Sequence, residues 1–214
     1  DEFNWYLMAV ILLTIVIVPI VLMATNSNIE EGIRTALFQI VSIITTTGYA
    51  SANYTEWGAF ASFIFFLLLF SGASAGSTSG GIKIVRIILL MKNTLLEFKR
   101  RLHPNAIIPV YLNKIAVSPK TIYNLLAFLF LYLFTFVIGA IILTFIGLDF
   151  KDAIGASATA INNVGPGIGS INPSSSFAHL PDAAKWVLSF LMILGRLELF
   201  TIAILFTPYF WRRN

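Results

Sequence analysis

A chain of 214 residues that is 57% hydrophobic and only 11% charged cannot clothe a soluble surface, which ordinarily takes about 25% charged residues. The net charge of +4 matters less than where the charges fall, and the absence of cysteine excludes disulfides, thiolate metal sites and thiol catalysis. The composition therefore points to a membrane protein and away from a large soluble core.

The first apolar run is too long for a signal-peptide core, and no small-residue cleavage site follows it. The opening Asp1-Glu2-Phe3-Asn4, with no Met, reads as the start of a fragment. Residues 5–25 carry no charge, and 21 helical residues cover about 31 Å, enough for a bilayer core of about 30 Å. Pro19 is a candidate kink. Residues 33–45 read as a short helix that runs into a polar string, Thr45-Thr46-Thr47-Gly48-Tyr49-Ala50. From 57 to 82 charge is again absent. The apolar run Trp57 to Phe70 breaks at Gly72-Ala73-Ser74-Ala75-Gly76-Ser77-Thr78-Ser79-Gly80-Gly81, and a helical pattern resumes from Ile82 to Met91. After a basic stretch over 92–120, residues 121–148 form a third uncharged span. A second short helix over 150–162 leads into Asn162-Asn163-Val164-Gly165-Pro166-Gly167. A fourth span runs from Trp186 to Trp211, interrupted by Arg196 and Glu198. The organisation is a first pore-type unit over 1–95, a basic linker over 96–118 and a second unit over 119–214.

Charge placement sets an orientation. Lys92, Lys99, Arg100, Arg101, Lys114, Lys120 and Arg212-Arg213 lie on one side of a four-span arrangement. Glu30, Glu31, Glu56, Asp149, Asp152 and Asp182 lie on the other, with only Arg34, Lys151 and Lys185. The positive-inside rule puts 92–120 and both termini in the cytoplasm and turns both polar strings outward. The basic charges are too sparse and too tightly bounded by spans for a nucleic-acid interface.

An internal repeat ties the two strings together. A shift of 117 places Arg34 on Lys151, Ala36 on Ala153, Ile44 on Ile161 and Gly48 on Gly165. It also lays span 5–25 over 122–142, while Trp57 meets Trp186 at a shift of 129. The predicted fold is an all-α membrane protein of two tandem span–pore-helix–filter-loop–span repeats, arranged about an axis along the membrane normal.

Each short helix reaches only about 20 Å, so it enters the membrane and stops. Its C-terminal end carries partial negative charge that favours a cation. Non-helical backbone at that depth must be buried in protein or line a watery cavity, and its carbonyls can replace an ion's water shell. Gly48 and Gly165 permit the φ values that aim successive carbonyls to one side; Pro166 keeps its carbonyl. No cluster of Asp, Glu or His suggests a divalent ion. Taken singly, each string is ordinary turn chemistry; two in register point to ion conduction.

The Gly-rich break cannot hold a helix and, inside a span, is expected to be buried or pore-lining. It is predicted to be a flexible obstruction in the ion path. Gly76 to Gly81 is not a phosphate loop, because Lys83 falls one place late and no Ser or Thr follows it. Gly72-x-x-x-Gly76 and Gly76-x-x-x-Gly80 also fit close helix packing. Arg196 lies about 15 Å into the last span, near the midplane, where a charge is functional by default. It is predicted to face the pore or the Gly-rich segment and donate to its carbonyls, the alternative being an ion pair inside the bundle. Glu198 sits about 200° further round the helix and is expected to pair with another helix, through a residue such as Lys83.

The string Thr-Thr-Thr-Gly-Tyr, the broken helix Ser71 to Lys83 and the string Asn-Asn-Val-Gly-Pro-Gly together resemble the third and fourth repeats of the TrkH family. These are membrane subunits of bacterial potassium uptake systems within the Trk/Ktr/HKT superfamily. The resemblance implies four such repeats in one polypeptide around one potassium-channel-like pore, so that the first two repeats lie outside this chain. It implies that carbonyls of Thr46, Thr47, Asn163 and Val164 bind potassium, supported by Thr45, Gly48, Tyr49, Asn162 and Gly165. Gly72, Ser74, Gly76, Ser77, Thr78, Ser79, Gly80 and Gly81 would act as the gate with Arg196. It further implies a homodimer in the bacterial inner membrane, controlled by a cytoplasmic TrkA-type nucleotide-binding ring. The only bound group implied is K+, with no organic cofactor and no nucleotide motif in the chain.

Other classes fit less well. An intramembrane serine protease on Gly72-Ala73-Ser74 lacks a base, since His103 and His179 lie on opposite sides and outside the spans. No other catalytic constellation is present, so the chain does not read as an enzyme. A tetrameric potassium channel subunit would extend its filter as Thr-Val-Gly-Tyr-Gly, whereas Ala50 stands at the second glycine, and the break at 72–81 is foreign to that design. In a transporter bundle the two strings would only cap helices.

Overall fold

The computed structural model describes residues 2–74, 76–77, 80–103, 105–106, 108–197, 204 and 208–211. The expectations for Thr78, Ser79, Glu198 and Arg212-Arg213 fall outside these residues. The fold is mostly helical. Helix α1 (Glu2–Thr25) is apolar over its length and keeps Pro19 inside it. Its threonines turn their hydroxyls onto their own helix, Thr14 to Val10 O and Thr25 to Val21 O, at 2.8 Å each, so neither presents an unmet polar atom. Helix α2 (Ile29–Ile44) begins four residues before its predicted start, with Glu30 and Glu31 in its first turn, where acidic residues favour the helix dipole.

A short 3-10 turn, Tyr54–Trp57, precedes α3 (Ala59–Leu69). The chain then leaves the helix. Strand β1 (Ser71–Gly72) pairs in parallel with β2 (Ile82–Lys83). Helix α4 (Ile84–Leu102) therefore resumes two residues later than the pattern from Ile82 indicates. It continues through the basic stretch to Leu102, braced by Glu97 to Arg100 at 3.4 Å and to Arg101 at 3.6 Å. A hairpin of β3 (Val110–Leu112) and β4 (Ile115–Val117) follows. Asn113 and Lys114 both take positive φ at its tip, which matches the twist that two-residue hairpin turns need. Lys92 of α4 donates to Tyr111 O of the hairpin (3.1 Å), and Arg100, braced by Asn93 Oδ1 of its own helix (2.9 Å), donates to Ile108 O just ahead of β3 (2.9 Å). Part of the basic charge of this stretch thus holds structure.

Helix α5 (Pro119–Ile146) is opened by the Ser118 cap, with Pro119 in its first turn, and ends at Gly147. Helix α6 (Phe150–Asn162) has the predicted bounds and an Asp149 cap. Helix α7 (Asp182–Arg196) closes at Arg196, with a single turn at Pro208–Trp211 beyond. Of these helices, α1 and α5 are long and apolar enough to cross a bilayer, with mean hydropathies of 3.1 and 2.7 over their best windows.

The packing order repeats: α1 lies on α2 and α2 on α3, as α5 lies on α6 and α6 on α7. One core gathers Ile17, Val21, Ala36, Ile40, Phe65 and Leu69; a second gathers Leu143, Ala153, Ala156, Ala160, Leu188 and Leu191. Ala158 and Val164 of the second unit sit in the first core, so the two units share an interior. Close approach in the second unit rests on small residues. A Cβ on Gly139 of α5 would lie 2.7 Å from both Leu191 and Ser157.

Candidate functional site at two helix ends

Both short helices end in the same turn. At α2, the Thr46 N–H donates to Ile43 O (3.0 Å) and the Thr47 N–H to Ser42 O (2.9 Å). At α6, the Asn163 N–H donates to Ala160 O (3.1 Å) and the Val164 N–H to Thr159 O (3.1 Å). Every one of these residues has its counterpart 117 positions on. The reversal needs a left-handed residue, and it falls on Thr46 (φ 56°) and Asn163 (φ 55°). Gly48 (φ 75°) and Gly165 (φ 108°) take the next positive φ. Even the glycine amides return to equivalent residues, Gly48 to Ser42 O (3.3 Å) and Gly165 to Thr159 Oγ1 (2.9 Å). Asn tolerates the left-handed region, whereas a β-branched Thr is strained there.

The strings are tethered differently. The first is tied to its own helix: Ser42 Oγ donates to Tyr49 O (2.6 Å), Gln39 Nε2 to Ala52 O, and Thr45 Oγ1 to Val41 O (2.7 Å). Thr45 and Thr47 also share a hydroxyl contact at 2.7 Å. The second is tied to its neighbours. Asn163 Nδ2 donates to Met192 O of α7 (3.0 Å), and Asn162 Oδ1 accepts from Tyr132 of α5 (2.5 Å). Gly195 of α7 is pressed so closely on α6 that a Cβ there would overlap Ile161 O.

The two strings meet. A Cβ on Gly48 would overlap the Val164 carbonyl oxygen and come within 3.3 Å of Pro166. A bare glycine is required for that approach. A second link runs just above: the buried Tyr54 hydroxyl donates to Gly167 O at 2.6 Å, with its ring stacked on Phe65 at 4.5 Å. Burial pushes the Tyr54 hydroxyl well up, so it remains a donor across physiological pH. Further out, Asp152 holds the turn at Gly169–Ile171 through Ser170 N (2.8 Å) and Ser170 Oγ (2.5 Å), with His179 Nε2 3.2 Å from that hydroxyl.

The Gly-rich segment is closed at its neck. The Ile82 N–H donates to Phe70 O (3.1 Å) and the Ile84 N–H to Ala73 O (3.3 Å). Within it, a Cβ on Gly72 would lie 2.6 Å from Gly80 O. The neck rests on the end of α6. A Cβ on Gly80 would overlap Asn162 O, and one on Gly81 (φ 76°) would lie 2.7 Å from Asn162 Oδ1. Gly76 faces open space, and the Ser77 N–H donates to Ser74 O (3.0 Å). Arg196 is exposed in the last turn of α7, beside the Gly195 contact.

Of the residues singled out from sequence, the fold thus brings Gly48 to Val164, and Gly80 and Gly81 to Asn162. Tyr132, Tyr54, Gln39 and Ser42 emerge only in three dimensions. Their one signal in the sequence was polarity on otherwise apolar helices or beside a string.

The sequence profile of the TrkH family, described as cation transport protein, matches residues 3–213. The chain is 39% identical over 208 residues to the Trk system potassium uptake protein TrkI of Halomonas elongata, covering 97% of this chain and 42% of that one. It is 36% identical over 200 residues to the Trk system potassium uptake protein TrkH of Escherichia coli K12, covering 92% and 41%. It is also similar to the crystal structure of the potassium transporter TrkH from Vibrio parahaemolyticus. There the TM-score is 0.90 at 35% identity, over 99% of this chain and 45% of that one. The chain therefore spans less than half the length of these relatives.

Proposed function

The chain belongs to the TrkH family of cation transport proteins, and on that premise we propose that it forms two repeats of a four-repeat, potassium-conducting pore. The observation that carries this reading is the repeated turn: two helix ends, 117 residues apart, close with the same hydrogen bonds and the same two positive-φ positions. Each helix aims its negative end at the place where its string leaves. Carbonyls of Thr46, Thr47, Asn163 and Val164 then supply oxygens for a dehydrated K+. Gly48, having no side chain, lets the first string come up against the Val164 oxygen. Thr45, Tyr49, Asn162 and Gly165 hold the backbone. The segment Gly72–Gly81, seated under Asn162, obstructs the path below the strings and moves to open it, with Arg196 donating to its carbonyls and repelling cations while it is closed.

The remaining two repeats belong to the rest of the same polypeptide, and the assembly is a homodimer in the bacterial inner membrane with its strings outward and 92–120 inward. A cytoplasmic TrkA-type ring supplies nucleotide control. The test is ion flux through the whole transporter in liposomes. Potassium and rubidium should pass in strong preference to sodium, and Thr47→Val should keep that preference because the ligand is the backbone oxygen. Equal potassium and sodium flux, or saturable exchange of one ion for another, would overturn the proposal.

A further inference from the structure

We propose that Tyr132 is a positioning residue for the gate: its hydroxyl fixes the Asn162 side chain as the seat on which Gly80 and Gly81 rest. The inference builds on the proposed function, since it gives the Gly-rich segment a mechanical partner. Tyr132 is 2% exposed and Asn162 fully buried, and their hydrogen bond is 2.5 Å. Asn162 Nδ2 is committed to Ala158 O at 2.6 Å, so the amide cannot turn. Its Oδ1 is therefore held between the Tyr132 hydroxyl and the Gly81 backbone, while its main-chain oxygen meets Gly80.

The Tyr132 ring also lies in the buried cluster that joins both ends of the neck. Phe70, which begins the break, meets it edge-on at 6.3 Å. Ile82, which ends the break, shares its buried cluster with Phe128 and Ile161. Phe128 stacks on Tyr132 at 6.0 Å and carries the Arg86 guanidinium of α4 at 4.1 Å. One side chain thus contacts the start of the segment and the amide it sits on, and shares a buried cluster with its end. Such a residue biases a two-position element directly, because every contact changes when the segment lifts.

Tyr132→Phe keeps the ring and removes the donor. In the whole transporter the closed seat should weaken about fivefold, the worth of one neutral hydrogen bond. Two readouts follow. Basal potassium flux rises several-fold with the potassium-to-sodium ratio unchanged. Amide exchange across residues 70–84, which tracks local opening, speeds up by a similar factor while exchange over 42–48 stays fixed. Gly81→Ala attacks the same contact from the other side, so the double variant should show no more opening than the stronger single. Unchanged exchange over 70–84 in Tyr132→Phe, or effects of the two variants that simply multiply, would overturn the proposal. So would a fall in ion selectivity, which would assign Tyr132 to the filter. Faster exchange in a protein that passes no potassium would keep the seat and refute the transport reading instead.

Discussion

Helices α2 and α6 end in the same hydrogen-bonded turn, yet nine residues of α6 are buried while α2 leaves Ile33, Leu37, Phe38 and Val41 exposed. A groove of about 420 Å3 lies along that open face, lined by Arg34, Leu37, Phe38, Val41, Thr45 and Tyr49. The turn is thus a local property of each string, whereas the surroundings are set by what packs there. Enclosure in the second unit comes from α5 and α7, through Ala153, Ala156, Ala160, Gly139 and Gly195. Under the proposed function, the open apolar face of α2 is where a further repeat of the pore packs.

The largest expected break in this pairing is at the glycines. Gly48→Ala would drive a methyl group into the Val164 carbonyl, a backbone atom that cannot step aside, and would add the strain of φ 75°. Gly165→Ala meets nothing within 4 Å and incurs only the positive-φ cost of about 1–2 kcal/mol. Gly48→Ala should abolish potassium flux and lower the melting temperature sharply; Gly165→Ala should keep measurable flux. Equal losses at both positions would mean that the Gly48–Val164 approach has no special importance.

What the sequence disclosed follows the same division. The bounds of α6, the two spans and the paired strings were legible, because apolar runs, charge gaps and an offset of 117 are one-dimensional signals. The pairing of Ser71–Gly72 with Ile82–Lys83 was not. Four residues carry no strand pattern, and their pairing depends on the two ends of the break meeting. The seat at Asn162 was equally hidden, since Asn162 was legible as part of a string but Tyr132 lies 30 positions away. A fourth span was expected from the apolar run over 186–211, and the described helix in that stretch, α7, stops at Arg196.

A middle-sized effect should separate the residues that anchor the two glycine amides. Thr159→Val removes the Oγ1 that accepts from Gly165 and leaves an N–H unmet, at a cost of about 1–3 kcal/mol. Ser42→Ala keeps the carbonyl that serves Gly48 and loses only the Tyr49 bond, about 1 kcal/mol. Thermal melting in detergent should rank Thr159→Val as the more damaging. Exchange of the left-handed residues gives a smaller contrast of opposite sign. Thr46→Asn should stabilise by about 0.5–1 kcal/mol, by relieving a β-branched residue at φ 56°. Asn163→Thr should destabilise, since it adds that strain and loses the Met192 bond. If both substitutions destabilise, Thr46 is held for its methyl or hydroxyl and the strain is incidental.

The smallest effect concerns the tie between the units. Tyr54→Phe keeps the stack on Phe65 and removes the donor to Gly167 O, a loss of about 1 kcal/mol. The tie also has a pH signature. Burial raises the Tyr54 hydroxyl above its ordinary value of 10.0, so the folded protein holds this proton more tightly than the unfolded chain. The stabilisation is whole below that ordinary value and drains away as pH rises past it. Between neutral pH and about 9 the difference in stability between the parent protein and Tyr54→Phe should be flat, and above about 10 it should shrink. A difference that stays flat through pH 10 and above would mean that the hydroxyl is solvated, with the same proton affinity in the folded and unfolded chain. The two strings would then be joined at the Gly48–Val164 contact alone.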